Sequence, residues 1–381
     1  MDGYDVVVIG AGLAGLECAR GLGEAGARVL LADRRLDLAR SVRTTGIFVR
    51  RTLEDFDLPE GCLGPPIRRV TLYSPSRRGL VVESRRDEFR IARMAELYRR
   101  RLEACRRAGV AWAPGTVYRG GGPERGGVTV ELHGPGSGRT VHARLIVGAD
   151  GTRSLVARDL GLDVNREWIV AVEDVFRGGP GARPPGLHCV FDPRLAPGYI
   201  AWVADDGEEI HVGVGGYAAR FDPVQALAAF EASRPADVDL TRAPWRERRG
   251  GHIPVGGVLR RIACPYGVLV GDAAGAVSPL TAGGLDPCLR LSRLAVRVIA
   301  DLLGSGDAGA LAAHAGHRFR ARFTSRLWMR RLATAVRSPW LAELACAALR
   351  SGPLRALAAH VFFGDGSFPD ARPEPVREPV G

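Results

Sequence analysis

Val7-Val8-Ile9-Gly10-Ala11-Gly12-Leu13-Ala14-Gly15 is the stretch whose reading decides the fold. Tyr4 to Ile9 is a short β-branched apolar run, the pattern of a strand buried on both faces in a parallel sheet. It runs straight into glycines spaced G-x-G-x-x-G, and Leu16 to Gly23 then reads as helix. Gly10 permits the tight turn, Gly12 lets backbone approach a pyrophosphate, and Gly15 lets the helix pack on the strand. Phosphates would rest on the helix N-terminus, against Leu13 and Ala14. A second strand, Ala27 to Ala32, ends in Asp33, 23 residues after Gly10 and placed to accept hydrogen bonds from a ribose hydroxyl pair. Strand before, helix after and an acid at this distance together predict a dinucleotide-binding βαβ unit, which one glycine turn alone would not.

The fingerprint does not separate one dinucleotide from another, so the motifs further along matter. Leu145-Ile146-Val147-Gly148-Ala149-Asp150-Gly151 is another apolar strand ending in an Asp-Gly turn, and Val268-Leu269-Val270-Gly271-Asp272-Ala273-Ala274-Gly275 repeats the design. Each alone reads equally well as an N-capped strand-to-helix turn. Pro279-Leu280-Thr281-Ala282-Gly283-Gly284-Leu285 follows, and then helix to about Leu303. A carboxylate such as Asp272 can hold ribityl hydroxyls, while amides at Gly283 and Gly284 can aim a positive helix end at a flavin pyrimidine ring and favour its anionic reduced form. The three motifs in this order predict FAD.

Through these motifs the sequence resembles the flavoprotein superfamily with the p-hydroxybenzoate hydroxylase fold, and within it the geranylgeranyl reductase family. Hydroxylases of this fold usually show a histidine after the GDAA stretch and a GQG loop; this chain has Gly275 and then a PLTAGG segment close to the reductases' PLTGGG. Gly198-Tyr199-Ile200-Ala201-Trp202 and His211-Val212-Gly213-Val214-Gly215-Gly216 resemble that family's YxW segment and its VGVGG strand. The resemblance covers roughly residues 4 to 350. It departs at Arg43-Thr44-Thr45-Gly46, where the reductases often carry KPCG, and at the extra residue between Tyr199 and Trp202. It implies cofactor contacts for Arg93 and a phosphate or ribityl contact for Arg43. Arg34, Val117, Asp150, Gly151, Gly271 and Leu285 complete the expected cofactor set, and Pro279, Thr281, Gly283, Tyr199 and Trp202 the expected flavin-facing or substrate-cavity set.

The fold expected is α/β: a Rossmann-type, glutathione reductase-like FAD-binding domain, an antiparallel-sheet substrate domain and C-terminal helices. We place the FAD-binding domain at 1–66, 87–162 and 256–305, the substrate domain at 67–86 and 163–255, and a helical region at 306–368. Phe89 to Arg107 reads as one long helix with Leu97 and Leu102 inward. Residues 168–176, 187–191, 199–204 and 209–214 read as sheet strands, joined at Asp205-Asp206-Gly207 by a hairpin turn. His317 to Arg350 reads as helix, with Phe319, Phe323, Leu327, Leu332 and Val336 near one stripe among arginines, suited either to an anionic membrane or to packing with snorkelling arginines. The tail from Pro369, rich in proline and charge, reads as disordered.

Composition narrows the function class. With 381 residues and 46% hydrophobic content the chain can bury two or three packed units. Its net charge of +11 would invite a polyanion. Yet all 53 basic residues are arginine, spread along the chain with no basic tail, so no nucleic-acid partner is expected. The seven cysteines form no CxxC pair or metal-spaced cluster, which fits a reducing cytoplasm and no metal. The start reads straight into a strand, so no leader is expected, and no apolar run is of bilayer length.

A flavin carries the electrons itself, so no Ser/His/Asp triad is required. Only one dinucleotide fingerprint is present; NAD(P)H or a ferredoxin-like donor must visit as external reductant. The first functional expectation is reduction of C=C bonds in an isoprenoid or other polyunsaturated lipid-like substrate by hydride transfer from reduced FAD N5. Alternatives are a monooxygenase acting on an aromatic or polyketide product through a C4a-hydroperoxide, and a non-redox cyclase of the lycopene cyclase kind. A halogenase is disfavoured by the lack of WxWxIP. Oligomeric state is not written in the sequence.

Overall fold

The computed structural model describes residues 3–178, 185–236, 238–241 and 243–364. Gly3–Ile9 pairs in parallel with Val29–Asp33 on one edge and with Ser137–Gly148 on the other, Val8 standing opposite Leu31 and Val147. Runs apolar on both faces are stable only where both faces are covered, which puts these strands at the centre of the sheet. The order across the sheet is Ala263–Cys264, Gly267–Leu269, Ser137–Gly148, Gly3–Ile9, Val29–Asp33 and Ala111–Pro114. The hairpin Val117–Glu124 and Gly127–Gly134 joins it through Ser137–Gly148. Helix Leu13–Glu24 packs against helices Met94–Arg107 and Leu285–Ser305, with Leu16, Leu22, Leu97, Leu291 and Ile299 in the shared core.

A seven-stranded sheet stands beside this layer, in the order Trp245–Pro254, Trp168–Arg177, Glu209–Gly216, Ala201–Asp205, Gly186–Val190, Arg69–Tyr73 and Gly79–Glu83. Only Gly186–Val190 and Arg69–Tyr73 pair in parallel. Helix Pro223–Ala232 covers part of it through Leu227 and Phe230. A small three-stranded sheet of Ile47–Val49, Phe89–Ala92 and Leu63–Ile67 is the third sheet of the fold.

Several expected elements are redrawn. Phe89 to Arg107 is not one helix: Phe89 and Ile91 alternate inward as a strand paired on both edges, and the helix starts at Met94. The amide of Arg93 donates to the Cys62 carbonyl at this switch. His317 to Arg350 is also broken, into His317–Arg320, Thr324–Ala335 and Pro339–Ala348, and a further helix runs over Gly352–Phe363. Pro339 explains one break, since proline cannot continue a helix but suits the first turn of the next. The expected strand at 199–204 is observed as Ala201–Asp205, with Tyr199 before it. The tail from Pro369 lies outside the described residues.

At the first turn, packing demands glycine. A Cβ on Gly15 would stand 1.8 Å from the Gly10 carbonyl oxygen, and one on Gly10, where φ is +100°, would stand 2.3 Å from the Ala149 carbonyl oxygen. Gly12 has nothing within 4 Å of its missing Cβ. Gly15→Ala is therefore expected to force helix and strand apart and to destabilise the ligand-free protein by about 2 kcal/mol or more. Gly12→Ala should change it by less than about 0.5 kcal/mol. Denaturant midpoints of the two variants check this.

Candidate active site

Parallel pairing carries the C-terminal ends of four strands to one edge, where they open on a cavity of about 1600 Å³. Its wall takes in Gly10, Gly12, Leu13, Ala14, Asp33, Arg34, Arg43, Val117, Asp150, Gly151, Gly271, Asp272, Gly283, Gly284 and Leu285, together with Thr281, Tyr199 and Trp202. Three expected residues lie outside this wall. Gly15 sits behind it, against Gly10. Arg93 pairs with Glu208 and donates to the Gly61 carbonyl, because the strand that precedes it sets its direction. Pro279 contributes a carbonyl oxygen to Arg330 at 3.0 Å.

Helix ends dominate the electrostatics of this edge. Helices Leu13–Glu24 and Leu285–Ser305 have glycine N-caps, Gly12 and Gly284, and no side chain caps either one. Their first amides and positive dipole ends are left for an anion or a carbonyl group. Asp33 has been engaged locally: Oδ2 accepts from the Ala11 amide at 2.6 Å, and Oδ1 from the amide and Nε of Arg35 at 2.8 and 2.9 Å. Although burial works against it, these partners hold the Asp33 carboxyl below its ordinary range. Asp150 accepts through Oδ2 from the amides of Leu155 and Val156, while its Oδ1 is buried with no partner. Asp272 is different again. Burial alone pushes its carboxyl up to about 6.

The segment between Asp272 and the second helix is tightly tied. Gly275 has φ +68°, and a Cβ there would meet the Gly257 carbonyl oxygen at 2.6 Å. Ser278 Oγ receives the Thr281 hydroxyl and Arg326 Nη1, each at 2.9 Å. The Tyr199 hydroxyl donates to the Thr281 carbonyl at 2.7 Å. Ala282 takes φ +52°, a left-handed conformation that costs a residue with a Cβ about 1 kcal/mol. Arg326 and Arg330 thus turn inward from the arginine-rich helix, while Trp328 and Leu332 on the same helix are exposed.

The seven-stranded sheet supplies the opposite wall. Gly213 and Gly215 leave room for aromatic rings: a Cβ on Gly213 would stand 2.2 Å from Trp202, and one on Gly215 2.8 Å from Tyr199. Glu173 and Arg249 also reach the cavity, and sequence reasoning missed both. Glu173 Oε2 accepts from the Thr45 hydroxyl at 2.5 Å, its Oε1 lies 3.5 Å from His211 Nδ1, and Arg249 Nη1 donates to the Thr44 carbonyl at 3.2 Å. The available signal for Glu173 was a charged residue interrupting an apolar strand, Val172-Glu173, whereas Arg249 follows Arg246-Glu247-Arg248 and did not stand out.

These features fit FAD. Uncapped glycine helix starts, an open Gly12, the unpartnered Asp150 oxygen and an uncompensated Asp272 are what a dinucleotide with a polyhydroxyl arm would satisfy. The cavity exceeds the roughly 300–1,000 Å³ of one ordinary ligand site, leaving space for a substrate beside the cofactor.

Comparison with known proteins agrees with this reading. A family described as FAD binding domain matches residues 3–176. Digeranylgeranylglycerophospholipid reductase 1 of Methanopyrus kandleri is 31% identical over 81% of this chain and 83% of its own. The digeranylgeranylglycerophospholipid reductase of Methanocella arvoryzae is 28% identical over 81% and 80%. A geranylgeranyl bacteriochlorophyll reductase-like protein of Thermoplasma acidophilum superposes with a TM-score of 0.80 at 21% identity, over 90% of both chains, and so shares the fold. The chain belongs to the geranylgeranyl reductase family of FAD-dependent oxidoreductases, with the p-hydroxybenzoate hydroxylase type of fold.

Proposed function

We propose that this enzyme saturates C=C bonds of a prenyl chain carried by a lipid. The observation that carries the reading is the continuity of one cavity from the dinucleotide crevice to apolar side chains of the C-terminal helices, among them Leu332, Val336, Leu349, Val361 and Phe362. A long hydrocarbon suits that passage. The names of the M. kandleri and M. arvoryzae relatives support reduction over hydroxylation or cyclisation. Bound and reduced, FAD supplies a hydride equivalent.

In this reading Gly10, Gly12, Leu13 and Ala14 hold the pyrophosphate, Asp33 and Arg34 face the adenosine ribose, and Asp272 accepts from ribityl hydroxyls. Thr281, Gly283, Gly284 and Leu285 bound the ring, Tyr199 fixes that loop through the Thr281 carbonyl, and Trp202 closes the substrate side. We assign the cofactor unit to 1–66, 87–162 and 256–305 and the substrate unit to 67–86 and 163–255. NAD(P)H or a ferredoxin-like protein brings the electrons from outside.

Among the described residues no helix is long and apolar enough to cross a membrane. Trp328, Leu332, Trp340, Leu344 and Leu357 are nevertheless exposed on the helices that line the apolar end of the cavity. We take this face to rest on the lipid surface from which the substrate enters, with nearby arginines favouring anionic headgroups.

Four outcomes test these assignments. Under strict anaerobiosis, chemically reduced protein given geranylgeranyl lipid should return oxidised flavin and lipid with two hydrogens added per bond, read by mass spectrometry. Product that needs oxygen would sink the reading. Asp272→Asn should lower FAD content at least about tenfold. The same change should stabilise the ligand-free protein, because a folded pKa of about 6, above the unfolded value of 3.8, means the carboxylate penalises the fold at neutral pH. That gain is on the order of 3 kcal/mol above pH 6 and vanishes toward pH 4, as melting curves across pH will show. Finally, Trp340→Ser with Leu344→Ser should weaken co-sedimentation with anionic vesicles by about tenfold or more.

A further inference from the structure

Saturating an alkene takes a hydride on one carbon and a proton on its neighbour, and the second of these needs a protein source. Across the cavity-facing side of the seven-stranded sheet, pairing register sets Trp202, Gly213, Glu173 and Arg249 in one row and His211 in the next. His211 has no exposed surface, and its two ring nitrogens lie 3.5 Å from carboxylates on opposite sides: Nδ1 from Glu173 Oε1 and Nε2 from Glu209 Oε2. Both ring nitrogens and Glu173 Oε1 lack a hydrogen-bond partner although fully buried. A shift of about half an ångström brings each pair to hydrogen-bond length. Glu173 reaches the cavity wall. At the other end, Glu209 is partly exposed and pairs with Arg246, which is more than half exposed.

We propose that Glu209, His211 and Glu173 form a proton relay along the cavity-facing side of the sheet, with Glu173 protonating the substrate carbon. The placement rests on the reductase reading: Glu173 accepts from Thr45 and Arg249 holds the Thr44 carbonyl, so the row is tied to the Arg43-Thr44-Thr45-Gly46 segment of the cavity wall. The imidazolium gives its proton to the Glu173 carboxylate, Glu173 passes it to one alkene carbon as the neighbouring carbon takes the hydride, and the neutral imidazole is recharged from solvent beside Glu209. No further oxidant or reductant is involved.

The charge state suits a store of protons. Burial opposes charge on His211, but Glu173 and Glu209 hold its proton up to about 9. Arg249 opposes this from the neighbouring strand, while buried Asp206, on the turn before Glu209, faces His211 with favourable sign. Glu173 remains below its ordinary value despite burial, through His211, Thr45 and Arg249. Relay turnover should therefore persist while the imidazole is charged and fall as pH rises through about 9.

The test uses full-length, FAD-loaded protein with Glu173→Gln and His211→Gln. Expected is FAD content and chemical flavin reduction close to wild type in both. Anaerobic reoxidation by geranylgeranyl lipid should slow about 100-fold in Glu173→Gln and about 10-fold or more in His211→Gln. The wild type's alkaline limb should disappear in His211→Gln. Imidazole NMR without substrate should show His211 titrating near 9, and lower in Glu173→Gln. Normal wild-type turnover with unaffected variants, a limb that persists in His211→Gln, or ordinary histidine titration would overturn the relay alone. No lipid-dependent reoxidation in the wild type would sink the reductase reading and the relay with it.

Discussion

Backbone lies on backbone where Gly10, Gly15 and Ala149 meet, and the geometry of the site depends on that contact. With a Cβ position only 1.8 Å from a carbonyl oxygen, helix Leu13–Glu24 can approach the first strand only because residue 15 has no side chain. The approach sets where the first amides of that helix point. It also brings Ala149 and Asp150, from a strand far away in sequence, against the same turn. The cavity edge is thus a consequence of parallel pairing and of glycine at two positions, and the polar groups around it inherit their places from that packing.

Those polar groups are left incompletely satisfied within the protein. Two helices start on glycine without a capping side chain, Asp150 Oδ1 has no partner, and half-buried Asp272 has no cation beside it to balance its charge. Ala282 adds a left-handed backbone conformation between them. Each feature costs stability in the free protein and would be repaid on ligand binding, since a ligand that binds only the folded state stabilises it by mass action. Concentration of such costs at one edge marks a binding site more firmly than any one of them could.

The glycine fingerprint, the three apolar strands with their carboxylates and the PLTAGG turn were legible in the sequence because their chemistry is local: a strand, a turn and a helix start within a few residues. The Thr45–Glu173–His211–Arg249 cluster was not legible, because it draws on four segments brought together by strand register. Arg326 and Arg330 were hidden for a different reason. In a helix where arginine recurs on every side, sequence does not say which guanidinium turns inward to hold Ser278 and Pro279. Arg93 was misplaced because Phe89 to Ala92 has too short an apolar run to tell strand from helix, and the strand aims Arg93 at Glu208.

The V-G-V-G-G strand shows how specificity can be built from missing side chains. Gly213 and Gly215 fall on the cavity face, and the rings of Trp202 and Tyr199 occupy the space their side chains would fill. Tyr199 is pinned, its hydroxyl committed to the Thr281 carbonyl, whereas the buried Trp202 Nε1 has no hydrogen-bond partner. One ring therefore fixes the loop that bounds the proposed flavin position, and the other presents a flat apolar face with a single unmet donor. That face stands in one row with Glu173 and Arg249, so a hydrocarbon chain crossing it would lie beside the proposed proton donor.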